Sequence, residues 1–220
     1  MSVSLPKGTK NEISLLSDRV LKQPLDIHIA WEQGLPMVLS MMDHKVGVRI
    51  VRLSITGRYL YQERADKGQA LADFKILLPL KHLVYLQIMS VNHHFDYETL
   101  PRSLKHLKIQ MNFSFGRKMT RKGLLDTPRE PVVIDCLDLE VKEYSEMHYI
   151  FSQIIPVKLA ILSVTKDFRV KKGEDLLSLL NQLTVDVLLY ITHSCKKSFI
   201  DGFMKLEGPK HKYLKTYNLA

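Results

Sequence analysis

The chain has 220 residues, 45% of them apolar, which is enough for one large domain or a repeat array with a sizeable core. Its two cysteines argue against a disulfide framework and predict a reducing compartment, the cytoplasm or the nucleus. The formal net charge of +9 permits anionic partners without requiring them. No apolar run reaches the roughly 18 residues that a membrane span needs, and residues 1–8 contain no hydrophobic signal core.

The first half of the chain alternates between short strands and longer connections. Residues 1–20 are polar and mixed, and we interpret them as an N-terminal segment that leads into the rest of the chain. Alternating apolar and polar residues then predict strands at 25–29, 48–55 and 83–89, and a further strand around Leu107 within residues 104–112. Helical spacing predicts short helices at 37–42 and 66–77, whereas 113–131, with its glycines, prolines and basic residues, reads as an exposed irregular segment.

The second half is more regular. Strands are predicted at 132–141, 158–165, 185–192 and 213–219, and helices at 144–155, 173–183 and 198–206. Pro156 is expected to end the first of these helices. In the strand at 185–192 either Leu188 or Leu189 fits the inward position. Because helices and strands alternate, the strands should be parallel and joined by crossovers.

A short motif recurs along these strands. Leu104, Leu107, Ile109 and Asn112 fit the pattern LxxLxIxxN. Residues separated by one position point to the same side of a strand, so Leu107 and Ile109 should enter the core together. Leu104 should close the turn that precedes the strand. The same apolar spacing is found at Ile50/Leu53/Ile55, Leu83/Leu86/Ile88, Ile134/Leu137/Leu139 and Leu159/Leu162/Val164, with fainter copies at Leu25/Ile27, Leu189/Ile191 and Leu214.

The spacing of these copies resembles that of irregular intracellular leucine-rich repeat proteins of eukaryotes. Successive anchor leucines lie 21 to 33 residues apart, and they are Leu25, Leu53, Leu86, Leu107, Leu137, Leu162, Leu189 and Leu214. The resemblance implies an α/β leucine-rich repeat solenoid over residues 21–220, with about seven or eight repeats. Parallel strands would line its concave side, and helices or irregular segments its convex side. An ordinary doubly wound domain is the alternative, but no GxGxxG or GxxxxGK[ST] loop is found.

Residues 100–107, Leu-Pro-Arg-Ser-Leu-Lys-His-Leu, are also similar to fungal and protist repeat proteins of the F-box kind. Such proteins recruit substrates to a ubiquitin ligase or act as scaffolds, so the resemblance implies a protein partner and keeps a ubiquitin-ligase component among the candidates. No F-box is recognisable, since residues 1–20 are too short and a strand follows Leu35-Pro36 too soon. We therefore expect the repeat architecture and its capacity to bind a protein partner, and we do not expect the chain itself to dock to a ubiquitin ligase through an F-box.

The sequence contains little that points to catalysis. His93 and His94 are adjacent and would face opposite ways on a strand, and neither Cys136 nor Cys195 has an evident base. HExxH and CxxC motifs are absent, so no metal site and no cofactor are predicted. We expect a protein that is not an enzyme.

The outward strand positions give the first functional hypothesis, a protein-interaction scaffold or substrate-recognition module. They mix aromatic, amide and charged side chains, as recognition surfaces do. Adjacent parallel strands lie about 4.8 Å apart, so outward residues of neighbouring strands should form one patch. The six residues that we expect to bind a protein partner on the concave face are Tyr85, Gln87, His106, Lys108, Asp138 and Glu140.

The second hypothesis is a nucleic-acid-binding or anionic-surface-binding protein. Lysines and arginines cluster at residues 102–122 and again at 196–215. Phosphate binding needs such charge on one surface. No recognition helix, aromatic RNA-binding signature or zinc finger accompanies the clusters, so this hypothesis is the alternative to the scaffold.

Overall fold

The computed structural model describes residues 2–5, 25–30, 50–56, 77–78, 80–89, 100–110, 130–165, 168, 175–192 and 196–217. The chain divides into two compact units, Met1–Gln110 and Met111–Ala220. The predicted helix at 37–42, residues 66–76 of the helix predicted at 66–77, residues 113–129 of the irregular segment predicted at 113–131, and Asn112 lie outside the described residues. No helix within the described ranges is long and apolar enough to span a bilayer.

The described part of the first unit is built of parallel strands that neighbour one another in chain order. They are β1 (Ser2–Leu5), β2 (Leu25–Ala30), β3 (Ile50–Thr56), β4 (Tyr85–Met89) and β5 (His106–Gln110). The strand β1 is a finding that the sequence analysis did not predict, since those residues read as part of a polar leading segment.

Buried leucines and isoleucines of the first unit are stacked in register. Leu53 pairs with Leu86, and Leu86 with Leu107, and all three are fully buried. Ile55, Ile88 and Ile109 form a second buried row two residues further along the strands. A single strand cannot bury such a face by itself, so each row depends on its neighbours.

Tight turns lead into β4 and β5. The Leu83 amide donates to the Leu80 carbonyl at 3.0 Å, and the Leu104 amide donates to the Pro101 carbonyl at 3.0 Å. Leu83 and Leu104 are both buried, so the first leucine of the motif closes the turn as the sequence predicted. The Ser103 hydroxyl donates to the Leu83 carbonyl at 2.8 Å and ties one turn to the other.

The described part of the second unit combines parallel strands, again neighbours in chain order, with helices. In chain order the elements are β6 (Val132–Glu140), α1 (Tyr144–Gln153), β7 (Ile154–Val164), α2 (Leu176–Asn181), β8 (Asp186–Ile191), α3 (Lys197–Met204) and β9 (Lys212–Thr216). The architecture is α/β with open, parallel pairing, which is compatible with a solenoid.

The strand β7 differs most from its prediction. It begins at Ile154 rather than at Lys158, because α1 ends at Gln153 and Pro156 lies within the strand. Leu159, three residues before Leu162, therefore lies in the same extended strand. Because side chains alternate along a strand, the Leu159 side chain points to the side opposite that of Leu162. Leu159 is accordingly half-buried on the outward side, while Ala160 takes the fully buried inward position.

Two register details also differ from the anchor scheme. Leu162 pairs with Leu139, whereas Leu137 pairs with Ala160, and the register of β6 and β7 also shifts between Ile134 and Cys136. In β8 the ambiguity of the sequence is resolved: Leu189 is fully buried and pairs with Leu162, and Leu188 is outward.

The Leu159 and Leu162 side chains allow a matched test of this arrangement. Leu162→Ala should lower the free energy of unfolding by about 2–5 kcal/mol, because it empties a fully buried site. Leu159→Ala should cost about 1 kcal/mol or less, since its side chain is half-buried. Urea denaturation of both variants measures the difference. Equal losses, or a larger loss for Leu159→Ala, would contradict the assigned directions.

Two hydrogen bonds join α2 to the segment before β9. The Asn181 Oδ1 accepts from the backbone amides of Glu207 at 2.9 Å and Gly208 at 3.0 Å. A Cβ at Gly208 would lie 1.7 Å from the Asn181 carbonyl oxygen, so this close approach requires glycine.

Gly208→Ala should therefore destabilise the chain by about 2–3 kcal/mol, because backbone must move. Gly202→Ala is the control: its Cβ would approach the Leu177 side chain, whose Cδ1 lies 2.6 Å away, and Leu177 can change rotamer. Alanine also favours a helix over glycine by about 1 kcal/mol. The melting temperature of Gly208→Ala should be lower than that of Gly202→Ala. The reverse order would contradict the close approach of Gly208 to Asn181.

Candidate interaction face

In each unit, alternation places one set of side chains on the side of the strands opposite the core, which we call the outer face. In the first unit Arg52, Tyr85 and His106 are register partners on β3, β4 and β5. Gln87 and Lys108 are register partners one row further along. Four of the six residues predicted from sequence, Tyr85, Gln87, His106 and Lys108, are thus brought together on two adjacent strands.

The first of these rows is held by ring contacts. The Arg52 guanidinium carbon lies 4.3 Å from the centroid of the Tyr85 ring, a cation–π contact. The His106 ring meets the Tyr85 ring edge-on, with centroids 4.8 Å apart. The Tyr85 hydroxyl donates to the Gln87 Oε1 at 3.1 Å, which links the two rows. The half-buried Tyr85 ring is therefore fixed from three sides.

Asp138 and Glu140, the other two predicted residues, lie on β6 in the second unit and point outward. Asp138 pairs with Ile161, and Ile161 with Leu188, while Glu140 pairs with Ser163, and Ser163 with Tyr190. The row of Asp138 thus continues into two apolar side chains, and the row of Glu140 reaches Tyr190 through Ser163. The six residues predicted to bind a partner include both carboxylates but none of the apolar side chains beside them.

Three apolar side chains on the outer face of the second unit were missed altogether. Val133, Ile155 and Val157 are 59%, 43% and 44% exposed. Ile155 was assigned to the predicted helix over 144–155, and Val157 was assigned to the break expected after Pro156. Neither residue was therefore predicted to lie on a strand. The alternation of apolar residues at 155, 157, 159 and 161 was the signal that could have revealed them.

The far edge of this unit carries aromatic and basic side chains. Tyr190 and Tyr217 stack with centroids 6.2 Å apart and ring planes 6° from parallel, and the Lys215 Nζ lies 5.5 Å from the Tyr190 centroid. His211 Nδ1 lies 2.8 Å from Asp186 Oδ1. In the residues that the structure describes, no cluster of His, Cys, Asp and Glu is arranged to hold a metal ion.

Comparison with protein-family models, with curated proteins and with solved structures finds no match to this chain. Its function must therefore be argued from the faces just described.

Cys136 lies among carboxylates and is a free thiol. Burial, with the negative charges of Asp138 and Asp135, raises its pKa to about 11. The thiolate is the reactive form, so Cys136 should be a poor nucleophile at neutral pH. This chemistry does not favour a catalytic cysteine.

In a Cys195→Ser background, iodoacetamide should accordingly alkylate Cys136 more slowly than free cysteine at pH 7.5, and the rate should keep rising beyond pH 10. Mass spectrometry of the intact chain follows the reaction. Asp138→Asn should shift the pH profile to lower values, since it removes one of the negative charges. A profile with its midpoint near pH 8 would contradict the environment described.

Glu146, in the first turn of α1, is only 8% exposed. Among the described residues no hydrogen-bond partner reaches its two carboxylate oxygens. Burial first, and then the charge of Glu143, raises its pKa from 4.5 to about 7, although the nearby amides of Lys142 and Glu143 offset part of the rise. A carboxylate that must stay desolvated without a partner destabilises the fold when it is ionised.

Because the folded pKa of Glu146 is raised, the folded state holds a proton that the unfolded state releases between pH 4.5 and about 7. Stability should fall as pH rises through that window, by on the order of 3 kcal/mol from this group. Glu146→Gln should then be more stable than the wild type at pH 8 and lose that advantage at pH 4.5. Urea denaturation at both pH values, with the exposed Glu207→Gln as control, checks this. An advantage independent of pH would contradict it.

Proposed function

We propose that this chain is a non-enzymatic protein-interaction module, a leucine-rich repeat solenoid that binds a protein partner on the outer face of its strands. The parallel strands in chain order and the stacked rows of buried leucines support the repeat assignment. The free Cys136 thiol agrees with a cytoplasmic or nuclear protein.

The arrangement around Tyr85 is the observation that carries the proposal. Tyrosine and arginine are the residue types enriched at the energetic centres of protein interfaces. Here an exposed Arg52 lies over a Tyr85 ring that His106 and Gln87 also contact, so the aromatic surface is ordered before a partner arrives. A pre-ordered side chain loses little conformational entropy on binding, which favours affinity.

Photo-crosslinking from a benzoylphenylalanine that replaces Met89, on the same face of β4 as Tyr85, identifies the partner, and the affinity of the unmodified chain for it is then measured by calorimetry. Tyr85→Ala should weaken binding about 30-fold, as truncation of an interface centre does. Tyr85→Phe is the matched control: it keeps the ring between Arg52 and His106 and removes the hydroxyl that donates to Gln87, so its loss of affinity should be several-fold smaller.

Lys108→Ala and Asp138→Ala extend this test to the other predicted residues, and each variant must melt like the wild type. Wild-type affinity in all three alanine variants, together with loss of binding in Lys196→Ala/Lys197→Ala, would refute the outer-face proposal and favour the anionic partner.

A second candidate function is binding of a nucleic acid, favoured by the stacked Tyr190 and Tyr217 beside Lys215. Aromatic platforms next to cations bind single strands. Salt-dependent retention of the chain on heparin and anisotropy with a labelled oligonucleotide test it, with Tyr217→Ala and Lys215→Ala as variants. Binding that is insensitive to both variants would remove this candidate.

A further inference from the structure

The strand β7 is apolar on both of its sides. Its inward residues Ile154, Ala160, Leu162 and Val164 are buried. Its outward positions 155, 157, 159 and 161 are also apolar, and two of them, Ile155 and Val157, are more than 40% exposed. A parallel strand that is apolar on both sides is typical of one covered on both faces.

Neighbouring strands widen this apolar column. Val133 on β6 pairs with Ile155, and Leu188 on β8 pairs with Ile161. We call the resulting set the β7 strip: Val133, Ile155, Val157, Leu159, Ile161 and Leu188. Six residue steps of strand make it about 20 Å long, and three strands make it about 10 Å wide. Exposed apolar patches of this kind mark interaction sites.

Carboxylates flank the β7 strip on both sides. Asp135, Asp138 and Glu140 lie on β6, and Asp186 lies on β8. Lys158 pairs with Asp135 at 2.7 Å and His211 with Asp186 at 2.8 Å, whereas Glu140 forms no ion pair among the described residues. In a chain of net charge +9 this acidic border is a local feature, and it is complementary to a basic partner.

The backbone of β7 restricts the form of that partner. Residues 159–163 are paired with β6 on one side and with β8 on the other, so they offer no edge to an added strand. Residues 154–156 pair with β6 alone, and Pro156 there supplies no N–H to an added strand. A ligand on this face must satisfy its own backbone hydrogen bonds, which an α-helix does. A helix that covers about 20 Å at 1.5 Å per residue contains about 13 residues.

We propose that the β7 strip docks a basic amphipathic α-helix of a protein partner, with apolar side chains at helical spacing on the strip and Lys or Arg toward Glu140 and its neighbours. The inference rests on the proposed function, because it names the kind of partner that the outer face takes. Phosphate is repelled by these carboxylates. A symmetric dimer through the strip would bring the acidic borders of two copies together.

The test is selection of random 16-residue displayed peptides on the intact chain. Enriched peptides should carry apolar residues at i, i+3 or i+4 and i+7 and a net positive charge, and should be helical when bound. Their affinity should fall at least tenfold with Val157→Asp and with Glu140→Lys. Met204→Asp, which alters a 48%-exposed apolar residue on α3 instead of a strand, should leave it unchanged.

Several results overturn the inference. They are a selection that yields no binder, enriched peptides without helical spacing or positive charge, and binding that survives Val157→Asp. Binding of a random 20-nucleotide RNA, or self-association in sedimentation, that Val157→Asp abolishes would overturn it as well. A natural partner whose binding depends on Tyr85 but not on Val157 overturns the inference alone. A natural partner whose binding depends on neither Tyr85 nor Val157 overturns the proposed function as well.

Discussion

The in-register pairing of parallel strands is the constraint on which the rest of this structure depends. In a parallel ladder each residue has one register partner, and successive residues alternate between two faces. Leu53, Leu86 and Leu107 can stack as one fully buried row only if β3, β4 and β5 keep this register. A slip by one residue would turn every buried leucine toward solvent, so burial of the row stabilises the register strongly.

The same constraint assembles the outer face. Because Leu86 and Leu107 are aligned inward, their neighbours Tyr85 and His106 are aligned outward, and the edge-on contact of their rings follows from the register. In the second unit the alignment of Leu162 with Leu189 likewise places Ile161 beside Leu188. The outward residues are therefore aligned without a sequence motif of their own. Their side-chain types can vary while the leucines and isoleucines of the buried rows stay the same.

Period-two alternation allowed most strands and their inward positions to be predicted from sequence, since that signal is local, and the alternation of strands with helices predicted their parallel direction. Alternation did not predict the features that depend on pairing between strands. The extension of β7 back to Ile154, with Pro156 inside it, depends on pairing with β6, and so does the outward direction of Leu159. The outward position of Glu140 could be predicted from alternation, whereas the exposed Val157 was not placed on a strand, because the preceding Pro156 was expected to break the chain.

Disulfide trapping of register partners tests the central claim most directly. With Cys136 and Cys195 replaced by serine, cysteines at Gln87 and Lys108, which are partners on adjacent strands, should form a bridge readily under mild oxidation. Neighbouring Cα atoms about 4.8 Å apart suit disulfide geometry. The register described here predicts that Gln87→Cys bridges Lys108→Cys in preference to His106→Cys or Gln110→Cys on the same face. Faster bridging to either of the latter two positions would contradict it.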